Sequence, residues 1–255
     1  MSDRPDPAGS FGHVEAWVFD LDNTLYPADC NLFAQIDRRM GEFIMQSLGL
    51  PLEQAQSLRA AYYYEHGTTL AGLVRRHGVA PDDFLDYVHD IDLGAVLPSP
   101  TLATALKALP GRKFVFTNGS RKHAEAVMER LGVSGQFEGI CDIHALDYIY
   151  PKPMPEAYER FVKTHGVEAP RAAMFDDLPH NLQAAHALGM TTVLVDGVTD
   201  HPEHQAIADW TEPPAHIHHR TAALAPFLAA IGAALAADET DPFPATSLRA
   251  QFCLT

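Results

Sequence analysis

The chain reads as an α/β protein: an open parallel β-sheet layered with helices, with a small all-helical domain inserted after the first strand. Two patterns predict this. Short apolar runs alternate with segments of helical period through most of the chain, the signature of βαβ units. One long stretch, from Tyr26 to about Pro98, holds helical patterns and no convincing strand. The expected division is a core of residues 13–25 plus 99–235, a helical insert 26–98, and peripheral tails 1–12 and 237–255.

The first predicted strand, Val14–Phe19, runs into the polar loop Asp20-Leu21-Asp22-Asn23-Thr24. In the insert, Leu32, Phe33, Ile36, Met40, Phe43, Ile44 and Leu48 form one apolar stripe at helical spacing, closed by Gly49 and Pro51. Helical segments over Leu52–His66, Leu70–His77 and Pro81–His89 follow, and Pro98 and Pro100 mark the return to the core. Leu102, Ala105, Leu106 and Leu109 then give a helix, and Lys113–Phe116 a second strand. Ala124, Val127, Met128 and Leu131 repeat the helical spacing up to Gly132. Gly139–Cys141, Ala172–Phe175 and Thr191–Val195 complete the predicted strands, with a short helix Asn181–Leu188 stopped by Gly189. Leu224 to Ala237 reads as a packed Ala-rich helix. His216, His218 and His219 lack a partner cluster and read as a surface edge strand or loop rather than a metal site.

Composition narrows the function. Of the 255 residues, 47% are hydrophobic and 20% charged, ordinary for a soluble globular protein. Lys and Arg number 18 against 33 Asp and Glu, so the net charge is 18 − 33 = −15, which argues against binding a nucleic-acid polymer. A small phosphorylated substrate remains compatible, since one metal and one Lys can set the local field. No apolar run reaches the roughly 20 residues of a membrane span. Three widely spaced cysteines (Cys30, Cys141, Cys253) and a polar N-terminus point to a reducing cytoplasm. A monomer or small homo-oligomer is expected.

Four polar clusters follow predicted strands, where the crevice of a parallel sheet collects ligands. Asp20 and Asp22 are two carboxylates placed two residues apart, each raising the other's pKa unless a cation or chemistry uses them. Thr117-Asn118-Gly119-Ser120 offers a hydroxyl at a helix start, suited either to a phosphate oxygen or to a helix cap. Lys152 lies between Pro151 and Pro153, which restrain its backbone. Asp176-Asp177 suggests a hard cation held through oxygens, most simply Mg²⁺, or a helix N-cap before Pro179.

Taken together and in this order, the clusters resemble the motifs of the haloacid dehalogenase-like (HAD) hydrolase superfamily. Asp20, Asp22 and Thr24 match its first motif, Thr117 its second, Lys152 its third and Asp176-Asp177 its fourth. The insert sits where that family carries a helical C1-type cap. Within it, Asp29-Cys30-Asn31-Leu32-Phe33 and Tyr62-Tyr63-Tyr64-Glu65-His66-Gly67 resemble the pyrimidine 5′-nucleotidase subgroup.

The resemblance implies a Rossmann-like core and a Mg²⁺-dependent phosphomonoesterase working through a phospho-aspartate. Asp20 would be the nucleophile and Asp22 the general acid and base, its side chain off the metal and able to hold a proton. Asp20, the Asp22 carbonyl and Asp176 would hold the metal, with Asp177 binding it directly or through water. Thr117, Asn118 and Lys152 would hold the phosphoryl oxygens. Thr24 would orient the loop, and Asp29, Asn31, Tyr64 and His66 are candidates to contact a nucleoside. The Tyr triplet cannot all face one way, so at least one ring belongs to core or solvent. The implied substrate is a pyrimidine nucleoside monophosphate. Phosphoglycolate, a sugar phosphate, phosphosugar mutase chemistry, dehalogenation and a non-catalytic binding module are the competing readings.

Overall fold

Six parallel strands line up in the order β3-β2-β1-β4-β5-β6 in the computed structural model, which describes residues 10–196, 207 and 210–240. They are β1 Ala16–Phe19, β2 Arg112–Phe116, β3 Gly139–Cys141, β4 Ala172–Asp176, β5 Thr191–Val195 and β6 His219–Thr221. β1 pairs with β2 on one side and β4 on the other, with Phe19 opposite Val115 and Phe175. The strand order therefore runs outward in both directions from the centre. That reversal opens a crevice at the carboxyl ends of β1, β2 and β4.

Successive strand residues face opposite sides of a sheet, so strands buried on both faces read as unbroken apolar runs. Val18, Phe114, Phe116, Met174 and Leu194 pack on one face. Trp17, Phe19, Val115, Phe175 and Val193 pack on the other. Helices α5 Pro100–Ala108, α6 Arg121–Leu131, α7 Pro155–His165, α8 Pro179–Ala187 and α9 Leu224–Thr240 belong to this core. The sequence reading missed α7, although Tyr158, Phe161, Val162 and His165 repeat at helical spacing and Pro155 opens it.

The insert holds α1 Leu32–Leu48, α2 Leu52–His66, α3 Thr69–His77 and α4 Pro81–Val88. The predicted stripe is real: Leu32, Ile36 and Ile44 are buried, and Gly49 ends α1 with φ +67°. Ile36, Ile44, Tyr62, Leu70 and Phe84 belong to the apolar cluster that includes the first sheet face. Insert and core thus share a packed boundary.

Two boundaries differ from expectation. Phe11 was assigned to a peripheral tail, yet it is 1% exposed and stacks with Trp17, since its ring fills the gap beside Phe227 and His219. α9 continues through Thr240, past the tail boundary placed at 237. Residues 1–9 and 241–255 of the expected tails, with Cys253, lie outside the described residues. Of the His-rich segment, His219 opens β6, a parallel edge strand, while His216 and His218 lie in the loop before it. Among the described residues no helix is long and apolar enough to cross a membrane.

Candidate active site

Asp20 is the first residue beyond β1, and its backbone N–H donates to the Phe175 carbonyl at 2.8 Å. Asp176 ends β4, so the pairing of β1 with β4 brings the two carboxylates together. Lys152 Nζ bridges them, donating to Asp20 Oδ1 and Asp176 Oδ2 at 2.7 Å each. The other oxygen of Asp176 accepts from Leu178 N–H at 3.0 Å and from Asn181 Nδ2 at 2.9 Å. Thr24 Oγ1 reaches Asp20 Oδ2 at 3.5 Å. Asp20, Asp176 and Asp177 each present an oxygen within 4.8 Å of the others, and all three are buried.

Burial pushes the Asp20 carboxyl up; Lys152 pulls it down, but Asp176, Asp177 and Asp22 push the same way as burial and it ends well above the usual range. Burial alone would lower Lys152, yet Asp176 and Asp20 outweigh it and hold the ammonium firmly charged. Three buried carboxylates against one ammonium leave an excess of negative charge carried entirely by oxygen donors. That donor set fits a hard divalent cation.

The Lys152 loop is fixed by Asn118. Its side-chain amide donates to the Lys152 carbonyl at 3.0 Å and accepts from the Lys152 N–H at 2.9 Å. Asn118 was expected at the phosphate. Its side chain pairs with the Lys152 backbone, because a carboxamide carries both the donor and the acceptor that match the N–H and C=O of one residue. Thr117 is 1% exposed, and its Oγ1 accepts from the Gly119 N–H at 2.9 Å. The Lys152–Pro153 peptide is cis.

Asp22 has a different environment from Asp20. Its Oδ1 accepts from Tyr26 Oη at 2.7 Å and pairs with His123 Nε2 at 2.8 Å. Burial pushes the Asp22 carboxyl up, but the charge and hydrogen bond of His123 and the Tyr26 hydroxyl hold it at about 2. Asp22 was expected to be free to hold a proton. In this state it is held ionised, because two donors converge on one oxygen. His123 in turn stacks on His89, with ring centroids 4.4 Å apart and planes 9° from parallel. Burial and the neighbouring His123 push His89 down to about 3.

The expected cap residues fare unevenly. Asp29 and Asn31 are solvent-exposed and make no hydrogen bond or ion pair with the carboxylate cluster. Tyr64 is 71% exposed, whereas Tyr62 is buried and Tyr63 half-buried against His180. The three rings thus do face different ways, as helical spacing demands. His66 is buried, with Nε2 lacking a hydrogen-bond partner and 3.5 Å from Glu65 Oε1. Three residues of the site were not singled out in the sequence, Tyr26, His89 and His123, and Asn181 was marked only as a helix start. A signal was present for Tyr26, four residues beyond Asp22. His123 sits on the third residue of α6, whose cap Ser120 was noticed for other reasons.

The family model of haloacid dehalogenase-like hydrolases matches residues 14–189, well over half of the chain. The chain belongs to this family. It is 29% identical over 210 residues to phosphate metabolism protein 8 of Saccharomyces cerevisiae, a match covering 74% of this chain and 62% of that protein. The chain thus spans less than two thirds of that relative's length. It is 27% identical over 201 residues to validoxylamine A 7′-phosphate phosphatase of Streptomyces hygroscopicus, covering 75% and 89%. Among solved structures, CbbY from Rhodobacter sphaeroides in complex with phosphate matches with a TM-score of 0.56 at 20% identity, covering 88% of this chain and 99% of that one. That likeness concerns the fold.

Proposed function

We propose that the chain is a Mg²⁺-dependent phosphomonoesterase whose preferred substrate is a pyrimidine nucleoside 5′-monophosphate. The observation that carries the reaction class is the convergence of Asp20, Lys152, Asp176 and Asp177 at one point of the crevice, with Asp22 two residues from Asp20. Asp20, Asp176 and Asp177 would hold Mg²⁺, with Asp22 contributing through its carbonyl. When bound, the cation offsets the carboxylate charge and polarises the phosphoryl group.

In this reading a carboxylate oxygen of Asp20 attacks phosphorus as the ester P–O bond breaks. The departing oxygen takes its proton from Asp22, whose affinity for a proton rises when a phosphate dianion enters beside it. Water then attacks the phospho-aspartate, gives its proton to Asp22, and releases phosphate with Asp20 restored. Lys152 and the Thr117 hydroxyl steady the phosphoryl oxygens through both steps. The insert closes over the crevice and excludes water. The cysteine content supports a cytoplasmic setting.

The insert motifs support the nucleotide reading, while Asp29, Asn31 and Tyr64 do not reach the carboxylates in this state. Relatives named as validoxylamine A 7′-phosphate phosphatase and fructose-1-phosphate phosphatase favour a second substrate class, the phosphates of sugars and related polyols. Phosphate release is measured across UMP, CMP, purine monophosphates, fructose 1-phosphate and phosphoglycolate, with Mg²⁺ and with chelator. Preference for UMP or CMP supports the first class, and preference for fructose 1-phosphate replaces it with the second. Full activity in chelator would overturn the metal assignment.

A further inference from the structure

Asp22 is gripped on one oxygen only. Tyr26 and His123 both meet Oδ1, and among the described residues none is seen donating to Oδ2. Oδ2 faces the Thr117–Ser120 turn: a Cβ built on Gly119 would lie 3.7 Å from it and 3.3 Å from Thr117 Oγ1. The free oxygen therefore points toward the same turn that offers the phosphate-side hydroxyl.

His123 is itself held from both sides of the insert–core boundary. Ser120 Oγ caps α6 by accepting from the His123 N–H at 3.3 Å, and the same hydroxyl meets His89 Nδ1 at 3.0 Å. His89 follows α4 of the insert and lies flat against the His123 ring. The chain Asp22–His123–His89 thus runs from the core carboxylate to the insert, and Ser120 ties its last two members together.

We propose that His123 is the positioning residue of Asp22, fixing Oδ1 so that Oδ2 exchanges the proton with the leaving group, and that His89 holds His123 in that pose when the insert is closed. The inference rests on the phosphomonoesterase reading above. It links insert closure to acid–base competence: an open insert withdraws His89 and leaves the Asp22 carboxylate less well aimed.

Proton delivery matters for an alkyl leaving group, which departs as a basic alkoxide, and little for p-nitrophenolate, which is stable without a proton. The test compares kcat/KM for p-nitrophenyl phosphate with that for the alkyl phosphate the wild type turns over best. His123→Leu is expected to lose about tenfold or more on the alkyl ester relative to the aryl ester, a share of the ~10²–10⁴ that general acid–base catalysis supplies. His123→Gln, which keeps an N–H donor of similar reach, should recover the ratio to within about threefold of wild type. His89→Ala should shift the ratio in the same direction by a smaller factor, and His89→Phe, which keeps a stacking ring, should shift it less than His89→Ala. Should His123→Leu fail to fold, His123→Asn, polar and too short to reach Oδ1, takes its place. An equal loss on both esters, or none, overturns the role of His123. An unchanged ratio in His89→Ala overturns the link to the insert. A wild type that hydrolyses neither ester overturns the phosphatase reading, and the inference with it.

Discussion

Lys152 sits 2.7 Å from each of two buried carboxylates and is itself 2% exposed. Removing one partner of a buried ion pair costs about 3–5 kcal/mol, because the group left behind stays buried and uncompensated. Lys152→Met should therefore lower Tm by roughly 10 °C in chelator, at ~2–4 °C per kcal/mol for a chain of this size. Mg²⁺ should restore part of that loss by supplying the missing positive charge. Thermal unfolding with and without Mg²⁺ checks this, and equal Tm values in Lys152→Met and wild type would contradict it. Asp20 gives the opposite sign. Its folded pKa is raised above the unfolded value, so its stabilising contribution is present at low pH and is lost as pH rises through the folded value. Once ionised, the Asp20 carboxylate opposes folding in the metal-free protein. Asp20→Asn should abolish turnover while leaving Tm in chelator equal to or above wild type. A fall of several degrees, or retained turnover, would count against the assignment of Asp20.

At the scale of elements, the strands were legible because burial on both sheet faces makes each an unbroken apolar run. Ala172–Phe175 and Thr191–Val195 needed no partner to be recognised, and Gly132 and Gly49 marked helix ends by the left-handed backbone they adopt. The three carboxylates were legible too, since they lie at the carboxyl ends of β1 and β4 and parallel pairing gathers strand ends at one edge, while Lys152 was marked by its flanking prolines. What pairs with Asp22 was not legible. His123 lies 101 residues away and His89 comes from the insert, so only tertiary contacts bring them together: Ser120 meets His89 at the start of α6, and the two imidazoles stack. Glycine at a helix crossing is a further feature that spacing does not reveal. Gly72 lies in α3 where that helix meets α2, and a Cβ there would overlap the Tyr62 ring. Its φ is not left-handed, so strain from overlap alone is at issue. Gly72→Ala should cost about 1–3 kcal/mol through overpacking. Gly135→Ala, where a Cβ meets nothing within 4 Å, should be nearly neutral. Matching Tm values for the two variants would show that Tyr62 moves aside freely.

For the whole molecule, burial of the site sets the requirement. Asp20, Thr117 and Asp177 are 7%, 1% and 3% exposed, so on the proposed reading the insert must shift from the core to admit a phosphate ester. Polar contacts across the boundary include Arg75 donating to the Ile149 carbonyl at 2.7 Å, Lys122 to Asp86 at 2.8 Å and Tyr148 to Asp82 at 3.1 Å. These groups are exposed, and such pairs are worth about 0–1 kcal/mol each. These contacts latch the rim only lightly, which is what the proposed reaction requires of an insert that opens in each cycle. Arg75→Ala combined with Lys122→Ala should remove about 1 kcal/mol from the closed state, enough to raise the open population roughly fivefold. Small-angle scattering should then give a larger radius of gyration, and amide exchange in α4 and the start of α6 should quicken, while the β-sheet amides stay protected. Because the same opening parts His89 from His123, the double variant should also lose more kcat/KM on alkyl than on aryl phosphates. Unchanged scattering and exchange would place the latch in the apolar cluster beneath, where Phe84 and Leu85 of α4 are buried.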